Sequence, residues 1–407
     1  MKALIITMKN PFLAKDGGSL AILNILEGYQ NLGYDITLLM MNTLRHYVPR
    51  EKFQEKINQH NIKVIDFTVD NNIKIINALK NLLLSKIPYN LERFYSKGFE
   101  KEIANILNKE KFDFIQLESS FLGLYLDVIK QNTQAPIFLR SHNVEYEIWE
   151  RNATVHSNFL KKIYFGILAK RFKKWEEGTF SKYDAIFPIT SRDKAKIQKV
   201  YQKSNFYFTL PYTINIKEYP FEEITLTDLS IAYLGALDWI PNQEGLLWFL
   251  KNVWSRIYNY YPGLKFYIAG RNAPDWLIKR IKNYKVEFLG EIPNAREFIL
   301  QHPIFVVPLL SGSGMRIKII EQMAFGRVVI STPIGAEGID ISSMENGILA
   351  EQPNDFISNI DYLFRNPDGI RYISKNARLT IESLFDSSEI FENVNEFILK
   401  ILKNKQN

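Results

Sequence analysis

The chain of 407 residues contains no cysteine, only five histidines, and no stretch of 18 uncharged apolar residues. Without cysteine there is no disulfide, no thiolate metal site and no thiol nucleophile, and the compartment is left open. Without a long apolar stretch no helix is expected to cross a bilayer. The early run Leu4-Ile5-Ile6 is too short for a signal-peptide core, so the expected location is cytoplasmic. No Asp-x-Asp pair occurs, and no Gly-Lys-Ser/Thr closes a phosphate loop. Gly312-Ser313-Gly314 lacks the third glycine of a dinucleotide fingerprint. Acids are in the minority: 44 Asp and Glu against 51 Lys and Arg leave a net charge of +7 and a pI near 9.1. That balance suits an anionic partner, yet no nucleic-acid motif accompanies it, and nucleic acid is not expected as a ligand.

What is present reads as globular, because apolar residues make up 46% of the chain and no long biased tract interrupts them. The length favours two or three domains, each with its own core. The most informative stretch is 304–340. It opens on Ile304-Phe305-Val306-Val307-Pro308, an apolar run of the kind that forms a strand buried on both faces. The glycine turn Ser311-Gly312-Ser313-Gly314 follows, then a helix with Ile319, Ile320 and Met323 on one side and Lys318 and Glu321 on the other. A second run, Val328-Val329-Ile330, leads to a second turn, Gly335-Ala336-Glu337-Gly338. This is the repeating unit of an open parallel sheet, in which ligands bind beyond the carboxyl ends of strands. Amide N–H groups at a helix start, with Arg316 and Lys318 beside them, suit a diphosphate, and Glu321 can accept from ribose hydroxyls. A solvated basic helix start fits the spacing as well, so spacing alone reaches an anion-binding α/β protein and stops there.

The remaining segments repeat the pattern. Residues 3–7, 36–40 and 64–67 read as strands, followed by 114–117, 137–139 and 183–191. Gly17-Gly18 opens a helix carrying Ile22, Ile25, Leu26 and Tyr29 on one side, which fits either close backbone approach to a ligand or a plain turn. His142 leaves the strand 137–139 at its carboxyl end, where a lone histidine is more readily structural than functional. Residues 205–228, with Pro211 and Pro220, read as a linker. Further strands are expected at 231–235, 264–269, 286–290 and 346–349, and Ile390, Val394, Phe397, Ile398 and Ile401 mark a terminal helix. Asn158 to Trp175 contains six cations and no acid. As a helix it places Leu160, Ile163, Ile167 and Trp175 on one expected core face, with Lys162, Lys170 and Lys173 in a narrow arc. That arc is either solvated or a contact for anionic lipid.

Several of these motifs together resemble the family 4 glycosyltransferases, retaining enzymes of GT-B fold, and a bacterial surface-polysaccharide branch among them. The likeness lies in Pro308-Leu309, Gly312, Gly314, Arg316, Lys318 and Glu321, in Ser331-Thr332 with Gly335-Ala336-Glu337-Gly338, and in His142-Asn143-Val144-Glu145 with Trp149. The resemblance implies an α/β protein of two doubly wound, Rossmann-like domains facing across a cleft. Their implied extents are 1–210 on the acceptor side, a linker at 211–228, a donor-binding domain at 229–385, and a helix at 386–407 packing back on the first domain. It implies that Arg316, Lys318 and His142 serve catalysis. Gly17, Gly18, Gly235, Asn242, Gly290, Ser313, Gly314, Met315 and Glu321 are implied to bind the donor. Many members carry two glutamates separated by seven residues; here Ser313 occupies the first place, and the backbone of 313–315 is implied to serve instead.

The implied reaction moves a sugar from a nucleotide sugar to a hydroxyl of a glycan or lipid-linked glycan, with retention and without metal or cofactor. An anionic membrane surface at the inner face is the further implied partner. A catalytically silent homologue that binds nucleotide or scaffolds another enzyme, and a nucleotide-sugar epimerase, are the competing readings.

Overall fold

The computed structural model describes residues 1–12, 17–44, 47–155, 158–201, 206–225, 229–312 and 314–406, apart from the side chains at 75, 79, 155, 201 and 406. Ser313 lies outside the described residues. The chain divides into two compact units, Met1–Thr213 with Ser388–Asn407, and Ile214–Ser387.

In the first unit the described strands are β1 (Lys2–Thr7), β2 (Asp35–Thr43), β3 (Lys63–Val69), β4 (Phe114–Leu117), β5 (Ile137–Ser141), β6 (Ala185–Pro188) and β7 (Phe206–Tyr207). They form one parallel sheet in the order β3-β2-β1-β4-β5-β6-β7. Alternate residues of these strands feed two separate cores. Leu4, Ile6, Leu39, Ile115 and Leu139 belong to one, and Ala3, Ile5, Leu38, Phe114 and Phe138 to the other. A strand covered on both faces must be apolar at every position, which is why these runs lack alternation. Helix Ser387–Gln406 joins the second of these cores through Phe391, Val394 and Ile398. Tyr34 Oη donates to Asn395 Oδ1 at 2.7 Å.

The second unit holds β8 (Ser230–Leu234), β9 (Lys265–Ala269), β10 (Glu287–Gly290), β11 (Ile304–Val307), β12 (Val328–Ser331) and β13 (Ile348–Leu349). Their order is β10-β9-β8-β11-β12-β13, again parallel. Both sheets therefore reverse direction of strand addition once, at β1/β4 and at β8/β11. In such sheets ligands gather at that switch point, beyond the carboxyl ends.

Residues 214–225, read from sequence as linker, pack within the second unit. Ile214 pairs with Asp386, and Ile224 is buried in that unit's core. One expectation fails on the long helix Phe159–Phe180: Leu160 and Ile163, expected on its core face, are exposed, while Leu168, Ala169 and Phe172 are buried. The first two turns thus extend beyond the core that the rest of the helix covers.

Candidate functional site

In the second unit the switch-point loops bring cations and glycines together. The turn after β11 contains Gly312 and Gly314, both left-handed at φ +117° and +85°, so that L side chains there would be strained. A Cβ on Gly312 would also lie 2.7 Å from Arg316 Nη2. Arg316 caps the start of helix Ile317–Ala324; its Nη1 donates to the Gly314 carbonyl at 2.8 Å, and its guanidinium lies 5.2 Å from the Trp239 ring centroid. Burial lowers the guanidinium pKa, and the Glu337 carboxylate partly offsets this. Met315 is half-buried in the same turn.

Lys318 reaches from that helix to the loop after β8. Its Nζ donates to the Leu234 carbonyl at 3.2 Å and to Asn242 Oδ1 at 3.4 Å, and sits 4.8 Å from the centroid of Tyr233. Burial, reinforced by the Arg316 charge, pushes the ammonium down to about 7. Gly235 gives this cation its space, since a Cβ there would stand 3.2 Å from Nζ and 3.1 Å from Tyr233 Oη. Asn242 Nδ2 donates to the Ala236 carbonyl at 2.8 Å, so its amide pins the loop as well as accepting from the lysine. The Gly290 carbonyl, at the end of β10, accepts from Gly270 N–H at 2.7 Å, and Gly270 in turn packs against the Gly235 carbonyl. Gly235, Asn242, Gly290, Gly314, Arg316 and Lys318 thus share the carboxyl end of one sheet.

Glu321 is placed differently. It is half-buried and accepts from Tyr219 Oη at 3.4 Å, on a segment where Arg296 stacks over Tyr219 and pairs with Glu218 at 3.0 Å. Burial raises the Glu321 carboxyl, while Tyr219 and Arg296 draw it back down.

In the first unit, Gly17 and Gly18 open helix Gly17–Asn31, with Gly17 exposed and Gly18 half-buried. His142 directly follows β5, and its Nε2 lies 3.0 Å from Glu118 Oε2. The same oxygen accepts from Arg140 Nη1 at 3.2 Å, while Glu118 Oε1 accepts from Gln116 Nε2 at 2.5 Å. Tyr29 Oη donates to Gln116 Oε1 at 2.6 Å, and Arg140 also donates to the carbonyls of Ala21 and Pro211. Burial pushes Glu118 up, but the Arg140 charge and the bonds from His142 and Gln116 outweigh it, leaving an ionised carboxylate. Burial lowers the His142 pKa, and the Glu118 hydrogen bond only partly opposes it. A neutral imidazole beside a carboxylate must carry its proton on the nitrogen facing that carboxylate, here Nε2, so Nδ1 holds the lone pair.

Glu118, Arg140 and Gln116 were missed from sequence, as were Trp239, Tyr233 and Glu337 as participants. A signal existed: three polar residues stand in or beside the apolar strands 114–117 and 137–141, and a buried polar group has to be paired.

Residues 228–366 match the family Glycosyl transferases group 1. An uncharacterised 44.6 kDa protein in the cps region of Klebsiella pneumoniae is 25% identical over 410 residues, spanning 97% of this chain and 98% of that protein. A glycosyltransferase structure from Rickettsia africae aligns with TM-score 0.71 at 16% identity over 99% of both chains. HepE of Anabaena in complex with UDP aligns with TM-score 0.69 at 12% identity, over 98% of this chain and 100% of that one. Residues 228–366 are thus similar to the glycosyl transferases group 1 family, and the whole chain has an α/β fold of GT-B type.

Proposed function

We propose that this protein is a retaining glycosyltransferase of family 4 that moves a sugar from a nucleotide sugar to a hydroxyl of a glycan or lipid-linked glycan. The carrying observation is Lys318, a half-buried cation at the β8/β11 switch point whose hydrogen-bond acceptors are both uncharged. Such a cation calls for an anion from outside, and a diphosphate meets it together with Arg316 and the turn amides of 314–315. HepE and this chain share the fold, and HepE is seen with UDP, which makes UDP the first probe. The cps-region relative supports a surface polysaccharide as the product, and a place at the cytoplasmic face of a membrane would follow from a lipid-linked acceptor.

In the transfer the bond from the sugar anomeric carbon to the diphosphate breaks, a bond to the acceptor oxygen forms on the same face, and the acceptor proton passes to the leaving phosphate oxygen. Arg316 and Lys318 stabilise charge growing on that phosphate, and no cofactor or metal is called for. His142, held by Glu118 through Nε2, keeps Nδ1 as an acceptor, and a role in turnover is proposed for it.

The test is calorimetric titration with UDP, followed by transfer to lipid-linked acceptor extracts in the presence of a chelator. UDP binding with His142→Ala inactive but equally avid for UDP supports the reading. Absence of any nucleotide binding, or UDP binding without hydrolysis or transfer from any nucleotide sugar, would favour the silent homologue.

A further inference from the structure

Tryptophans of the second unit serve different ends. Trp254 is 1% exposed inside the core and Trp248 packs against that core, whereas Trp239 stands outside it and is 39% exposed. A single exposed apolar side chain needs no explanation, but this one is presented by a loop fixed along its length. After β8, Gly235 N–H donates to the Ala269 carbonyl at 3.2 Å and Leu237 N–H to the Arg271 carbonyl at 2.8 Å. Asn272 Nδ2 reaches Asp238 Oδ2 at 3.0 Å, and Gln243 Nε2 reaches the Leu237 carbonyl at 2.8 Å. The Trp239 carbonyl accepts from the amides of Asn242 and Gln243 at 3.0 and 3.2 Å, which starts helix Ile240–Phe249. The indole thus has a fixed point of attachment and a ring that the core does not use.

What the ring meets is the anion site. The Arg316 guanidinium lies 5.2 Å from its centroid. A Cβ on Gly312 would stand 3.1 Å from Trp239 Cη2 and 2.7 Å from Arg316 Nη2. Backbone, indole and guanidinium therefore converge at Gly312, and Arg316 Nη1 closes the group by donating to the Gly314 carbonyl at 2.8 Å. A long side chain loses much rotamer freedom when it is held in one place, and a dry guanidinium needs a favourable surface in place of water. Unlike a carboxylate such as Glu337, which also acts on this guanidinium, an aromatic face holds the group without neutralising it.

We propose that Trp239 is a positioning residue for transfer, its ring holding the Arg316 guanidinium beside Gly312 and Gly314 so that the cation is set before the donor diphosphate arrives. Charge fixed in advance stabilises a transition state without reorganising at the moment of reaction. Tyr233 stands in the same relation to Lys318, whose Nζ lies 4.8 Å from its ring centroid, so β8 and the loop after it supply each cation with an aromatic face. The task given to Arg316 rests on the transferase reading; the stack itself does not.

Full-length Trp239→Leu, Trp239→Phe, Arg316→Ala and the double variant Trp239→Leu/Arg316→Ala would be titrated calorimetrically with UDP and with inorganic diphosphate. Trp239→Leu is expected to weaken both anions alike by about tenfold, the size of one partly desolvated cation–π contact, with turnover falling at least as far. Trp239→Phe, which keeps an aromatic face, should recover most of the loss. In the Arg316→Ala background Trp239→Leu should cost nothing further, because a residue that acts through another has no effect once that other is gone. A tryptophan that merely supports the fold would lose equally in both backgrounds and gain nothing from phenylalanine. Either of those results, or unchanged affinity in Trp239→Leu, would overturn the proposal, and melting curves would verify that each variant folds. A second readout needs no ligand. Burial first, and the Arg316 charge second, hold the Lys318 ammonium down, so freeing the guanidinium should raise the pH at which Lys318 reacts with acetic anhydride, followed by mass spectrometry. That rise is expected in Trp239→Leu and not in Trp239→Phe, and an unmoved profile in Trp239→Leu would sink the proposal even if UDP affinity fell. Failure of the unmutated chain to bind either anion would overturn the transferase reading alone, and the acetylation profile would still decide whether Trp239 holds Arg316.

Discussion

In the first unit Glu118 is wholly buried and neutralised in place: Arg140 meets it at 3.2 Å, and His142 and Gln116 supply further hydrogen bonds. In the second unit Lys318 meets a backbone carbonyl and an amide oxygen, and the nearby charge that acts on it is the like charge of Arg316. The two sheets share a strand order, so the contrast is not one of architecture. A charge cluster closed on itself serves structure and orientation, whereas a lysine whose hydrogen-bond acceptors are uncharged is placed to receive an anion. The comparison yields opposite signs for charge removal, and that is where it can be broken.

The largest effect is expected from Glu118→Gln. The substitution strands Arg140 in a dry interior, and breaking a buried pair this way costs about 3–5 kcal/mol. Thermal and urea unfolding would register it, and in whatever fraction folds the His142 proton should leave Nε2, shifting its nitrogen resonances. An unaltered melting temperature would mean that the carboxylate is not what satisfies Arg140.

Lys318→Met should do the reverse in the unliganded protein, raising stability by about 1 kcal/mol, because a poorly compensated cation is replaced by an apolar chain of similar length. The same variant, and Arg316→Ala, should lose about 10²–10³ in transfer rate, the size of effect seen when an oxyanion donor is deleted. A Lys318→Met protein that is both less stable and fully active would refute the contrast between the units.

A smaller loss separates Glu321 from the cation pair. Its carboxylate lies toward Tyr219 rather than Lys318, so Glu321→Gln should weaken nucleoside diphosphate binding by about tenfold through one charge-assisted hydrogen bond, and leave inorganic diphosphate binding unchanged. Equal losses for both ligands would place Glu321 with the phosphates instead.

What could be read from the sequence follows the same division. The strand, glycine turn and helix at 304–324 were legible because doubly covered strands are unbroken apolar runs and because Gly312, Gly314, Arg316 and Lys318 are neighbours along the chain. The acceptors of Lys318, Leu234 and Asn242, are 84 and 76 residues away, yet the glycine after β8 already marked that loop. The Glu118 cluster was illegible as a cluster, since Tyr29 and Gln116 are separated by 87 residues and Arg140 and Ala21 by 119. Only the oddity of Gln116, Glu118 and Arg140 among apolar neighbours pointed to it. The start of the long helix misled for a third reason. Helical spacing reports which residues share a side, and whether anything covers that side depends on how far the core extends.

The smallest effect is the most direct reading of the second unit's charge. Lys318, near 7 in the free protein, is mostly neutral at about pH 8, and a bound diphosphate would restore its ordinary affinity for the proton. UDP binding at that pH should therefore take up close to one proton, seen as a heat that changes between buffers of different ionisation enthalpy. Below about pH 6 the lysine is charged in both states and that contribution vanishes. The sign follows: affinity is highest on the acid side and falls as pH rises through 7, by up to about tenfold per unit until the lysine of the complex also titrates. Arg316→Gln, which removes the like charge that helps hold Lys318 down, should move this fall to higher pH, and Lys318→Met should abolish the uptake. A UDP affinity that is flat from about pH 6 to 9 with no proton uptake would mean that Lys318 is already charged in the free protein, and that its neutral surroundings do not make it wait for an anion.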